Sequence, residues 1–173
     1  SGLSYSTLYK VWVNATDGTY TRRWYTFTTK ANLPPVLGVL SHANGSSNNP
    51  LSFSWNISID DPEGDSFDWT IQCSNGQTNG GSGASNGTKT LALSGLTYGT
   101  TYKVWVNATD RNGSDSYNRS WFIFTTKGNL PSILGTPSPV NGSTGTQLSF
   151  MWSIPINDPE GDLFDWSINC SNG

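Results

Sequence analysis

The chain has 173 residues, room for one or two domains of the usual size of about 100–150 residues. Only 12% of residues are charged, the net charge is −3 and no basic stripe is present, which speaks against nucleic acid as a partner. No apolar run approaches the roughly 18–20 residues of a membrane-spanning helix, and two cysteines do not make a disulfide-dense scaffold.

Aromatic residues supply 13% of the chain, eight of them Trp, among abundant Gly, Ser, Thr and Asn. That mixture suits short strands joined by polar turns, with aromatics providing most of the buried area. In chain order, the first predicted strand is Tyr9-Lys10-Val11-Trp12-Val13-Asn14-Ala15-Thr16, and a second closes at Phe27-Thr28-Thr29. A Pro-containing linker, Lys30 to Pro35, follows. Leu51, Phe53, Trp55 and Ile57 then alternate with Ser52, Ser54, Asn56 and Ser58. After the turn Asp61-Pro62-Glu63-Gly64-Asp65, the residues Phe67, Trp69, Ile71 and Cys73 alternate with Asp68, Thr70 and Gln72. Beyond a Gly-, Ser- and Asn-rich stretch, Tyr102, Val104, Val106 and Ala108 alternate with Lys103, Trp105, Asn107 and Thr109. A period of two with one apolar face predicts half-buried antiparallel strands, and no segment carries a helical apolar stripe.

The chain then repeats itself. Ser1-Gly2-Leu3 through Asp17 recurs as Ser94-Gly95-Leu96 through Asp110, and Trp24, Phe27-Thr28-Thr29-Lys30 as Trp121, Phe124-Thr125-Thr126-Lys127. Leu51-Ser52-Phe53 with Trp55 recurs as Leu148-Ser149-Phe150 with Trp152, and Asp61 to Gly76 as Asp158 to Gly173. The offset is about 93 residues at first and about 97 after a short insertion, so one repeat is a domain-sized unit rather than a solenoid turn. The linkers divide the chain into the back half of one unit (1–30), a complete unit (31–127) and the front half of another (128–173). The start has neither Met nor a signal-peptide pattern. Ends inside units lead us to expect a window on a longer array, or a subunit whose halves are completed by its neighbours.

Trp55 on an early strand, Trp69 on the next, and the spacing of Leu96 to Tyr102 ahead of Val-x-Val-x-Ala resemble the fibronectin type III fold. The Asp-Pro-Glu-Gly-Asp turn looks like the variant found in archaeal and bacterial surface proteins. The resemblance implies tandem all-β sandwiches, with a tyrosine corner in which the Tyr102 hydroxyl bonds to backbone upstream. It says little about function, because such sandwiches host unrelated roles.

Nine Asn-x-Ser/Thr sequons occur, at Asn14, Asn44, Asn56, Asn86, Asn107, Asn112, Asn118, Asn141 and Asn169. Chance pairing would give about four. Asn14, Asn56, Asn107 and Asn169 fall on the outward parity of their strands, while Asn44, Asn86, Asn112 and Asn141 fall in predicted loops. Asn118 has inward parity. Covalent N-glycans are therefore expected at several of these positions. Trp12 and Trp105 share the outward parity of Asn14 and Asn107, which leaves two readings: indoles stacked on sugar or on a neighbouring chain, or indoles packed under cross-strand neighbours such as Trp121.

The acidic turn Asp61, Glu63 and Asp65 recurs as Asp158, Glu160 and Asp162. In a type III-like sandwich it shares a pole with Asp110 and the incoming linker, and alternating oxygen ligands suit Ca²⁺. The plainer alternative is a tight polar turn with its acids in water. Cys73 and Cys170 hold equivalent positions and cannot pair in a straight array. Inward parity points to free, semi-buried thiols, with a disulfide to a laterally packed chain as the alternative. The single His, His42, is matched by Pro139, and no phosphate loop or nucleophile–base pair is available, so no catalytic residue is expected. No motif requires a cofactor. The expected function is a glycosylated structural unit of an extracellular filament, sheath, stalk or surface layer whose partners are copies of itself. The alternative is a cell-surface adhesin, or a carbohydrate-binding or spacer module on a secreted enzyme.

Overall fold

The computed structural model describes residues 2–112 and 117–171. Ser1 and Gly173 of the repeat match, and Gly113 and Ser114 of the Asn112 sequon, lie outside the described residues. The chain divides into two compact units, Ser1–Lys127 and Gly128–Gly173. Every element among the described residues is a strand.

The first unit opens with a hairpin of β1 (Leu8–Thr16) and β2 (Tyr20–Thr28), in register from Leu8 opposite Thr28 to Thr16 opposite Tyr20. Its turn uses Gly18 at φ 105°, in the left-handed region that glycine tolerates best. Two facing sheets follow. One is β3 (Val36–Leu40), β5 (Phe53–Asp60) and β8 (Gly87–Leu93), with β5 in the centre. The other has the order β4-β10-β9-β6-β7, built from β4 (Ser46–Asn49), β6 (Phe67–Cys73), β7 (Thr78–Ala84), β9 (Thr101–Asp110) and β10 (Tyr117–Thr126). All pairings are antiparallel except β4 with β10, which is parallel.

The predicted alternation is what fills the space between these sheets. Trp55, Ile57 and Ile59 from β5 and Leu91 and Leu93 from β8 meet Phe67, Ile71 and Cys73 from β6 and Val104, Val106 and Ala108 from β9. Phe124 lies edge-on to Phe53 at 5.1 Å and stacks on Tyr102 at 5.5 Å. Burying aromatic and branched side chains in this way stabilises the fold by about 1.5–3 kcal/mol each. The tyrosine corner is present: the Thr97 N–H donates to the Tyr102 hydroxyl at 2.8 Å, and the hairpin repeats it with the Ser4 N–H and Tyr9 at 2.8 Å.

The second unit is sparser. β11 (Ile133–Leu134) pairs with β12 (Ile156–Asn157), and Ser138 bridges to Ser153. Residues 162–170 form no strand, although their sequence nearly copies β6. In β6 the backbone groups are taken up by β9 on one side and β7 on the other. No such neighbours flank 162–170 among the described residues of this unit, so the same side-chain pattern does not become a strand. Cys73 is accordingly buried and Cys170 exposed, and no disulfide joins them. Both thiols are expected from the sequence to be inward and semi-buried; Cys73 is instead fully buried and Cys170 exposed.

Candidate functional site

The acidic turn is built by Asp61 itself. β5 ends at Asp60, and the Asp61 Oδ1 accepts the N–H groups of Glu63 and Asp65, both at 3.0 Å. The Asp61 carbonyl accepts the Gly64 N–H at 3.1 Å, with Gly64 at φ 81°. Asn86 clamps the same residue from the start of β8: its Oδ1 accepts the Asp61 N–H at 2.7 Å and its Nδ2 donates to the Asp61 carbonyl at 3.0 Å. Asp61 is 2% exposed, and its other oxygen, Oδ2, has no hydrogen-bond partner.

At the end of β9, Asp110 is buried as well. Its Oδ1 accepts the Asn112 N–H at 2.9 Å, and its Oδ2 accepts Asn32 Nδ2 from the linker at 2.7 Å. Carboxylate oxygens of Asp61, Asp65 and Asp110 lie within 4.8 Å of one another. Of the residues expected around a cation, these three come together. Glu63 does not: it turns to the linker, accepting the Leu33 N–H at 3.3 Å and facing Lys30 Nζ at 3.5 Å. In the second unit, Asp158 Oδ1 accepts the N–H groups of Glu160 and Asp162 at 3.0 Å each, and Glu160 accepts the Leu130 N–H at 3.4 Å. The backbone turn is therefore the same in both copies, but among the described residues Asp158, Glu160 and Asp162 are not gathered into such a cluster.

Two residues at this pole escaped the sequence reading. Tyr5, ahead of β1, donates its hydroxyl to Asp65 Oδ2 at 2.6 Å. That bond, then desolvation, then the charges of Asp65, Glu63 and Asp61 push the phenol pKa up to about 12. Asn32 is the other. Tyr5 and Asn32 come from segments far in sequence from the turn, so only the repeat offset could have signalled them: Tyr5 and Asn32 match Tyr98 and Asn129.

The outer faces carry the remaining candidates. Asn14, Asn44, Asn86, Asn112, Asn141 and Asn169 are exposed, and Asn56, Asn107 and Asn118 half-buried. The Asn56 side-chain oxygen is buried without a partner, on the central strand of its sheet. Trp105 pairs across strands with Trp121, and Trp12 with Trp24. Lys103 Nζ lies 4.0 Å above the Trp121 ring, as Lys10 Nζ does above Trp24. Each outward Trp thus belongs to a Lys–Trp cluster on its own sheet. Beside it, Asn107, Thr109 and Asp68 border a shallow groove floored by Gly80 and Gly81, of about 330 Å³.

The fibronectin type III domain family matches residues 34–124, more than half of the chain. The chain belongs to the fibronectin type III family. Its three- and five-stranded sheets, the tyrosine corner and the buried Trp55 are this family's sandwich. No curated protein matches the chain. Among solved structures, the chain is similar to domains 4 and 5 of the S-layer protein SbsC, at 13% identity and a TM-score of 0.30. That alignment covers 63% of this chain and 63% of that one, so the chain spans under two thirds of its structural relative. No helix among the described residues is long and apolar enough to cross a membrane.

Proposed function

We propose that the chain is a structural, N-glycosylated segment of an extracellular filament, sheath, stalk or surface layer, working as a spacer among copies of itself and carrying no catalytic site. One observation carries this reading: sequons are spread along a repeated sandwich, six of their asparagines are exposed, and none lies in the core. Sugar on the sides would cover open sheet edges, the hazard of any unclosed β fold. The groove next to Asn107, floored by two glycines, is room for the first sugar residues of a glycan attached there. An adhesin or carbohydrate-binding module would need distinct aromatic surfaces in different copies. The two Lys–Trp clusters are instead alike, which favours a repeated structural part.

Glycopeptide mass spectrometry on the native material tests the reading. Modified Asn14, Asn44, Asn86 and Asn107 are expected, with Asn118 bare because it shares the inward parity of Phe122 and Phe124. Bare peptides at all nine positions would remove the sugar coat from the proposal. Electron microscopy of the same material should give a regular axial repeat, and isolated flexible beads would defeat the filament.

A further inference from the structure

We propose that Asp61, Asp65 and Asp110 form a calcium site at the pole of the sandwich where the linker enters. The inference does not depend on the filament reading. Two independent observations carry it. Three carboxylates offer oxygens within 4.8 Å of one another, and one of these residues, Asp61, is 2% exposed with its Oδ2 bonded to nothing. A buried carboxylate oxygen is normally hydrogen-bonded, ion-paired or on a metal.

The first two options are not taken. Neither ion pair among the described residues reaches the cluster: Lys30 goes to Glu63 and Arg111 to Asp68. The neighbours that do reach it are neutral, the Tyr5 hydroxyl on Asp65 and the Asn32 amide on Asp110. Three carboxylates are therefore gathered with no cationic side chain paired to them among the described residues, and a divalent cation would supply what is missing. The donor set is all oxygen, which selects a hard cation. Magnesium is usually held through one or two carboxylates and keeps several waters, whereas calcium accepts several carboxylates in flexible geometry. Three converging carboxylates therefore suit calcium, with water completing its shell. Asp61 is also held rigidly: its Oδ1 is fixed by two N–H groups and its backbone by Asn86, while its Oδ2 is left without a hydrogen-bond partner.

Such a site would join four stretches of chain: the turn, the end of β9, the linker through Asn32 and the hairpin through Tyr5. Its expected effect is to fix the entry of the preceding half-unit.

The experiment uses the intact chain, stripped of metal with a chelator and titrated with calcium chloride by calorimetry. Saturable binding at about 10⁻⁴–10⁻³ M, the range of extracellular calcium modules, is expected, together with a rise in melting temperature. Asp61→Asn and Asp110→Asn should each weaken binding at least about tenfold. Glu63→Gln should leave it unchanged, because Glu63 sits outside the cluster. Terbium in place of calcium should luminesce through Tyr5, and Tyr5→Phe should dim that emission. Absence of saturable heat in the wild-type chain at millimolar calcium overturns the proposal whatever the variants do. Equal weakening by Glu63→Gln also overturns it, since that marks diffuse surface charge. Circular dichroism of Asp61→Asn separates lost binding from lost folding, and Asp110→Asn serves in its place if it unfolds.

Discussion

Tyr5 is the residue on which the acidic pole reports most directly. Its hydroxyl gives its proton to Asp65, and the surrounding carboxylates oppose a second negative charge, so the phenol holds that proton up to about pH 12. Lys30, whose ammonium lies 5.8 Å from the ring, is the one cation facing it among the described residues and acts the other way. A tyrosine whose folded pKa exceeds its unfolded value contributes stability that is complete below about pH 10 and is lost as the pH climbs through about 12. Alkaline absorbance titration of wild type against Tyr5→Phe should show one phenol ionising late, and a difference spectrum with its midpoint near the ordinary value of about 10 would contradict the Asp65 bond. Asp68 runs in the opposite sense. The Arg111 guanidinium, then the Gly83 N–H, hold its carboxyl below the usual range, so its contribution is present above the unfolded value and fades as the pH falls through the folded one. The pair is exposed and the contribution small.

Gly80 shows how closely β7 lies on β6. A Cβ built there falls 2.7 Å from the Trp69 carbonyl oxygen, a backbone atom that cannot step aside. Gly80→Ala should destabilise the first unit by about 1–3 kcal/mol in urea titration, through forced separation of the strands. Gly128→Ala meets open space and should be neutral, and equal stability of the two variants would refute the close approach.

At the scale of elements, the sandwich was legible because strand parity is a local code. Trp55, Ile57, Val104 and Val106 face the core as their alternation requires, and Tyr102 closes its corner as the spacing from Leu96 implies. Pairing partners are a different matter, since they are set by whatever backbone stands alongside. Residues 67–73 and 164–170 share a pattern, but only the first lie between two strands. Native-state hydrogen exchange on the whole chain should find the β6 amides slow and those of 164–170 fast. Protection of both would mean that the second copy has found a partner. The cation cluster was half legible for a related reason. Asp61, Asp65 and Asp110 could be gathered from turn position within the resembling fold, whereas the turn of Glu63 toward the linker follows from Lys30 and the Leu33 N–H, which no spacing rule contains.

For the whole molecule, the decisive contrast is between equivalent residues with different burial. Phe124 is fully buried and its counterpart Phe27 is 45% exposed; Trp55 is buried and Trp152 is 43% exposed. The hairpin thus presents the side chains that in 31–127 belong to β9 and β10, and residues 128–173 present those of β5 and β6. These two sets pack against each other in the complete repeat, and if the chain works among copies of itself, as proposed, one chain's hairpin would meet another chain's second unit through them. A contact of that kind would be heterologous and would propagate instead of closing on itself. Phe124→Ala should cost the chain about 3–5 kcal/mol of stability, whereas Phe27→Ala should cost no more than about 1.5 kcal/mol, the worth of its stack on Tyr9. Phe27→Ala should act on assembly instead. Sedimentation velocity of the wild-type chain should show average mass rising steadily with concentration, without a plateau at a dimer, and Phe27→Ala should hold the chain at the monomer. A wild-type chain that stays monomeric at every concentration would mean that these faces do not recognise each other.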